Sequence, residues 1–213
     1  MKIGILGSGA VGIALADGFV KYGIAVKVGT RTLSKLDDWN ERSGDLGTIG
    51  SFEETAQFGD IVILAVRGLI AQEVLDMAGK ENLAGKTIID ATNPIAPDGP
   101  DNGVLRFFTE ANTSLMESLQ SFVPEANFVK AFNSIGAGFM VDPSFEMKPS
   151  MFICGNNEEA KEAVSKILDQ FGWDVEDMGG VESARPIEAL SMLWCVPGFR
   201  DNRWNHAFRL MKV

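Results

Sequence analysis

The chain has 213 residues, 46% of them hydrophobic and 23% charged, and carries a formal net charge of −10. That length and balance are those of an ordinary soluble globular protein whose core needs no disulfide, with no polar tract that reads as disordered. The negative charge excludes sequence-independent binding to nucleic acid or to an anionic membrane, so an anionic ligand requires a local positive site.

The first apolar run, KIGIL at residues 2–6, is short and lacks polar alternation, as expected of a strand in a parallel sheet. A lysine before an apolar run also resembles a signal peptide, but Gly4, Gly7, Gly9, Gly12 and Asp17 interrupt the segment. No later stretch approaches the ~18 apolar residues of a membrane span, and a cytoplasmic location is the expectation.

Directly after that strand, Gly7, Gly9 and Gly12 form GxGxxG, and Val11, Ala14, Leu15, Gly18 and Phe19 then recur as one face of a helix. Strand, glycine turn and helix in this order form a dinucleotide fingerprint. The turn Gly7, Ser8, Gly9, Ala10, Val11 and Gly12 is therefore expected to meet the pyrophosphate, helped by the unpaired N–H groups of the helix N-terminus.

The second strand, AVKVG at 25–29, leads into Thr30 and Arg31, with Lys35 about one turn beyond. An NAD site places Asp or Glu here to accept from the ribose hydroxyls. Arginine instead offers a two-pronged contact to a 2′-phosphate and lysine adds a point charge, so the expected cofactor is NADP(H).

Further strands are read at 61–66 (IVILAV), 87–91 (TIIDA), 128–132 (FVKAF) and 151–155 (MFICG), and WDVEDM at 173–178 follows a helix carrying Ala160, Ala163, Val164, Ile167, Leu168 and Phe171 on one face. Ala65 and Val66 are small enough for a cofactor to lie flat, whereas Arg67 faces either a phosphate, an anionic partner or a surface ion pair. Asn93 and Pro94 open an irregular segment, residues 93–103, which is either a ligand loop or a solvated one. An asparagine amide there would orient the nicotinamide carboxamide or ribose.

Lys130 and Asn133 repeat the KxxN spacing of hydroxyacid dehydrogenases. Here the spacing lies on a strand, where i and i+3 point to opposite faces, so Lys130 reads as structural and only Asn133 as a residue facing the nicotinamide. Asn93 and Asn133 are the catalytic candidates.

Cys154 and Cys195 stand alone and read as inert core thiols, without a metal pattern. A last helix is expected from Pro186 to about Trp194, and Trp204 and Phe208, at i and i+4, suggest a second short apolar face. These aromatics are expected in the core or against a second subunit, as in a homodimer, and His206 in a core or surface role. The fold class is α/β, a doubly wound, mostly parallel sheet. It is read as one dinucleotide-binding domain, 1–213, with its core at about 1–155 and a C-terminal extension at about 156–213.

The segments KIGILGSGAVGIALADGFVKYGIAVKVGTR, IIDATNP, TSLMESLQSFVPEANFVKAFNSIG and ARPIEALSML together resemble the deazaflavin (coenzyme F420)-dependent NADP oxidoreductases and related dinucleotide-binding proteins. The resemblance implies that Ser8, Thr30, Arg31 and Lys35 hold the 2′-phosphate region. It also implies a second redox ring, deazaflavin or flavin, over the nicotinamide near NPIAP and FNSIGAG. Hydride transfer between two stacked rings chiefly needs positioning and exclusion of water, which suits a chain with one histidine. The competing readings are an NADPH-dependent carbonyl or imine reductase and a noncatalytic NADPH-binding redox sensor.

Overall fold

Strands that are apolar on both faces must be covered on both, and this requirement organises the chain. In the computed structural model, which describes residues 1–212, six parallel strands form one sheet in the order β3-β2-β1-β4-β5-β6. They are β1 (Lys2–Leu6), β2 (Ala25–Gly29), β3 (Gly47–Gly50), β4 (Ile61–Leu64), β5 (Thr87–Asp90) and β6 (Asn127–Lys130). The helices between them are α1 (Ala10–Lys21), α2 (Asp37–Arg42), α3 (Phe52–Phe58), α4 (Ala71–Ala78), α5 (Lys80–Leu83) and α6 (Leu115–Phe122). A second parallel pair, β7 (Ser150–Ile153) and β8 (Asp174–Asp177), is joined through α7 (Glu158–Gln170) and precedes α8 (Ala184–Asp201). It touches the main sheet at an antiparallel bridge between Lys130 and Cys154.

Alternation along each strand feeds two cores. Ile3, Ile5, Val26, Val28, Ile63 and Ile89 meet Leu15 and Phe19 of α1 and Val164 and Leu168 of α7. On the opposite face Leu6, Val62, Leu64, Ile88 and Phe128 meet Ala56, Val74, Leu75, Leu119 and Ile187. The strand order reverses between β1 and β4, and the carboxyl edge at such a switch point is where open α/β sheets place ligands.

Local departures from the sequence reading have physical causes. Strand β3 carries glycine at two of its four positions, so it lacks the apolar run that marks the others. Strand β6 ends at Lys130, and Phe132 turns the chain with φ 63°, which takes Asn133 off the strand line. The segment 93–103 is neither open nor wholly solvated. It folds back through bridges Ile95–Phe107 and Asp101–Val104, with positive φ at Asn102 (49°) and Gly103 (85°), the backbone of a tight hairpin turn.

The last helix starts earlier and runs further than expected, because Ala184, Ile187, Glu188, Ser191, Trp194 and Gly198 maintain one buried stripe past Trp194. Asn202 ends it in the left-handed conformation, and no second helix carries Trp204 and Phe208. Instead Trp204 lies on Gly198, where a Cβ would stand 2.2 Å from its ring. The Trp194 indole donates to the His206 carbonyl at 2.8 Å, and the His206 ring stacks on it at 5.0 Å. Burial pushes the Cys154 thiol up to about 12 and raises that of Cys195. Among the described residues no helix is long and apolar enough to cross a membrane.

Candidate functional site

Register brings the expected residues to one edge. Leu6 is level with Gly29 and Leu64, Leu64 with Asp90, and Asp90 with Lys130. The residues just past these ends remain tied to the sheet: Gly7 N–H donates to Gly29 O at 3.1 Å, Ala65 to Leu6 at 2.9 Å, Ala91 to Leu64 at 3.1 Å and Ala131 to Asp90 at 3.2 Å. The edge from which the loops depart is thus a rigid platform.

The three glycines of the turn do different work. Gly7 has φ +133° and a Cβ there would lie 2.2 Å from Ala65 O, while one on Gly12 would lie 2.0 Å from Gly7 O. Both are demanded by the fold itself. Gly9 has an ordinary φ of −82°, and a Cβ there meets nothing within 4 Å. Its Cα side faces open space. Gly9 caps α1 without a side-chain acceptor, and the first turn holds no acidic residue, so the helix N-terminus presents N–H groups and partial positive charge.

Beside the turn, Ser8 Oγ donates to Thr30 Oγ1 at 3.1 Å, and Thr32 N–H donates to the same oxygen at 3.2 Å. Thr30 is buried and holds the loop, whereas Arg31 and Lys35 are exposed. Arg31 makes a loose ion pair, 3.6 Å, with Glu73 of α4, both side chains more than half exposed. Arg67 is exposed and has no ion pair among the described residues, which leaves the surface-bridge alternative without a partner. Ala65 is buried and Val66 half-buried.

Asn93 and Asn133 meet. The Asn93 amide donates to the Asn133 carbonyl at 2.7 Å, and the Asn133 amide donates to Asn93 Oδ1 at 3.1 Å and to Ile187 O at 2.9 Å. Asn133 and Pro94 are buried and Asn93 is half-buried. Behind the pair, Lys130 Nζ lies 2.7 Å from Asp90 and 2.8 Å from Glu188, with these side chains 0 to 2% exposed. Burial alone would push the Lys130 ammonium down, but the two facing carboxylates outweigh it and hold its pKa above the ordinary lysine value.

The expectation that Lys130 is structural agrees with that burial, although the strand-face argument behind it does not apply past residue 130. Asp90 and Glu188 were not singled out from sequence. The available signal was a lone acid ending an apolar strand, a lone acid on an apolar helix face and a lone lysine in another apolar strand, which satisfy one another only in three dimensions.

Residues 2–94 match the family described as NADP oxidoreductase, coenzyme F420-dependent. The chain is 30% identical over 200 residues to the metalloreductase STEAP3 of Rattus norvegicus, covering 92% of this chain and 38% of that protein. It thus spans well under half the length of that relative. It is 28% identical over 204 residues to the F420-dependent NADP reductase of Methanocaldococcus jannaschii, covering 91% of this chain and 90% of the relative. The crystal structure of a candidate F420-dependent NADP reductase from Arthrobacter sp. FB24 superposes with a TM-score of 0.92 at 31% identity, over 100% of both chains. With the glycine turn at the switch point of a parallel sheet and this agreement in sequence and fold, the chain belongs to the coenzyme F420-dependent NADP oxidoreductase family.

Proposed function

We propose that the protein binds NADP(H) along the carboxyl edge of its sheet and exchanges a hydride between the nicotinamide and a deazaflavin or flavin ring. The observation that carries this reading is the contrast at the glycine turn. Gly7 and Gly12 are occupied by the fold and Gly9 is open, while Ser8 meets Thr30, after which exposed Arg31 and Lys35 follow in a protein of net charge −10. A local cationic patch on an acidic molecule suits the 2′-phosphate of NADP(H).

The cofactor supplies the hydride chemistry; the chain binds, orients and excludes water. Backbone N–H groups at Ala10, Val11 and Gly12 would take the pyrophosphate, and Ser8, Thr30, Arg31 and Lys35 the phosphorylated ribose, with Arg67 a further cation on that edge. Ala65 and Val66 would face the middle of the dinucleotide. Asn93, Pro94 and Asn133 would frame the nicotinamide, leaving its outer face to the acceptor ring. That acceptor is proposed to be coenzyme F420, in agreement with the name of the Methanocaldococcus jannaschii relative, with a flavin as the alternative.

Two measurements test the reading. NADPH oxidation is followed by absorbance with coenzyme F420, flavin mononucleotide, or a panel of carbonyls and imines. Turnover with the ring acceptors is expected, whereas turnover with carbonyls or imines alone, or tight binding without turnover on any acceptor, refutes it. Second, Arg31→Ala is expected to weaken NADPH by roughly tenfold to a hundredfold, since a charge-assisted contact is worth about 1.5 to 3 kcal/mol. NADH affinity should barely move. Equal affinity of the parent protein for NADPH and NADH would remove the charge argument.

A further inference from the structure

We propose that the buried Asp90, Lys130 and Glu188 triad is a positioning device for the Asn93–Asn133 pair, so that Lys130 governs the nicotinamide half of the dinucleotide without touching it. This rests on the NADP(H) reading above. Burying two carboxylates and an ammonium is costly, and apolar residues of similar volume often stabilise a fold at least as well. The arrangement therefore calls for something that apolar packing cannot supply.

What it supplies is a fixed turn. Lys130 Nζ donates to Thr92 O at 3.0 Å, while Asp90 Oδ1 accepts from Thr92 N–H at 2.9 Å and from its hydroxyl at 2.7 Å. Every polar group of Thr92 is thereby held by the triad, and the peptide leading into Asn93 cannot rotate without breaking it. The other asparagine is tied in the same way from α8. Ile187 O takes the Asn133 amide, and the next residue, Glu188, reaches Lys130 and accepts from the N–H groups of Leu115 and Met116 at 2.9 and 3.0 Å. Each asparagine hangs one residue away from a triad contact. Leucine or methionine at these positions would fill the volume and leave Thr92 and the start of α6 without partners.

Positioning makes a prediction that plain stabilisation does not, namely an effect confined to one end of the ligand. The double variant Lys130→Met with Glu188→Gln keeps the net charge of the parent triad, one negative, now carried by Asp90 alone. Its affinity for 2′,5′-ADP, which carries the adenosine end alone, is expected to stay within about twofold of the parent. Its affinity for NADPH should fall by about tenfold, with a changed emission maximum of the bound dihydronicotinamide. Equal losses for both ligands, or no loss for either, would overturn the proposal. Should the double variant fail to fold, Thr92→Val removes the hydroxyl donor to Asp90 and should give the same split at about threefold; its absence there is equally decisive. If the parent bound neither ligand, the functional reading would fall, and this inference with it.

Discussion

At the scale of single residues, the glycine turn separates what the fold needs from what a ligand needs. Gly12→Ala drives a methyl to 2.0 Å from Gly7 O, a backbone atom that cannot move aside, and is expected to cost about 1 to 3 kcal/mol of stability. Gly9→Ala meets no protein atom and has an ordinary φ, so its thermal unfolding should match the parent. NADPH affinity should nevertheless fall by roughly tenfold or more, because the methyl stands where the backbone must approach the pyrophosphate. Unchanged affinity in a folded Gly9→Ala protein would show that the open side of the turn is not the phosphate site. The spacing of the glycines was legible in sequence, as were Thr30, Arg31 and Lys35, since all belong to one local pattern. Glu73 was not legible: nothing local marks an acid on α4 as the neighbour of an arginine after β2.

At the scale of elements, α6 shows how one helix end gathers charge. Ser114 and Glu117 form a capping box, Glu188 covers the N–H groups of Leu115 and Met116, and Arg185 forks onto Glu117 at 3.0 and 2.5 Å. The hydrogen bond from Arg185 holds the Glu117 carboxyl below its ordinary value of 4.5, with the Ser114 bonds adding to it against burial. The folded state therefore binds this proton less readily than the unfolded chain. The resulting stability is present above the unfolded value and is lost as pH falls through the lowered folded one. Glu117→Gln should accordingly flatten the acid limb: between about pH 6 and about pH 3 the variant loses less unfolding free energy than the parent in urea titrations. Equal losses would place the acid sensitivity elsewhere. Most elements could be read from their apolar periods. Those missed or misread lacked a period or depended on contacts invisible to one: β3 is half glycine, and the tail after Asn202 is shaped by Trp204 settling on Gly198.

At the scale of the whole molecule, the strand order decides what one bound ligand would touch. Because the order reverses between β1 and β4, the loops after β2 and β3 lie on one side of the glycine turn that follows β1, and those after β4, β5 and β6 on the other. The alternation of apolar strands and helices made this parallel sheet foreseeable, whereas the triad that joins β5, β6 and α8 behind the site required residues distant in sequence to meet. A dinucleotide lying along that edge contacts both halves of the sheet, binds the folded chain alone, and so opposes unfolding of the whole. At a hundredfold excess over its dissociation constant NADPH should stabilise by about 2.7 kcal/mol, or roughly 5 to 11 °C for a chain of this size. NADH at the same concentration, if bound about a hundredfold more weakly, stabilises by only about 0.4 kcal/mol, a shift of roughly 1 °C. Thermal unfolding with the two nucleotides at equal concentration measures this difference directly. Equal shifts would mean that Arg31 and Lys35 do not select the 2′-phosphate, and the absence of a shift with either would mean that the sheet edge does not hold a dinucleotide.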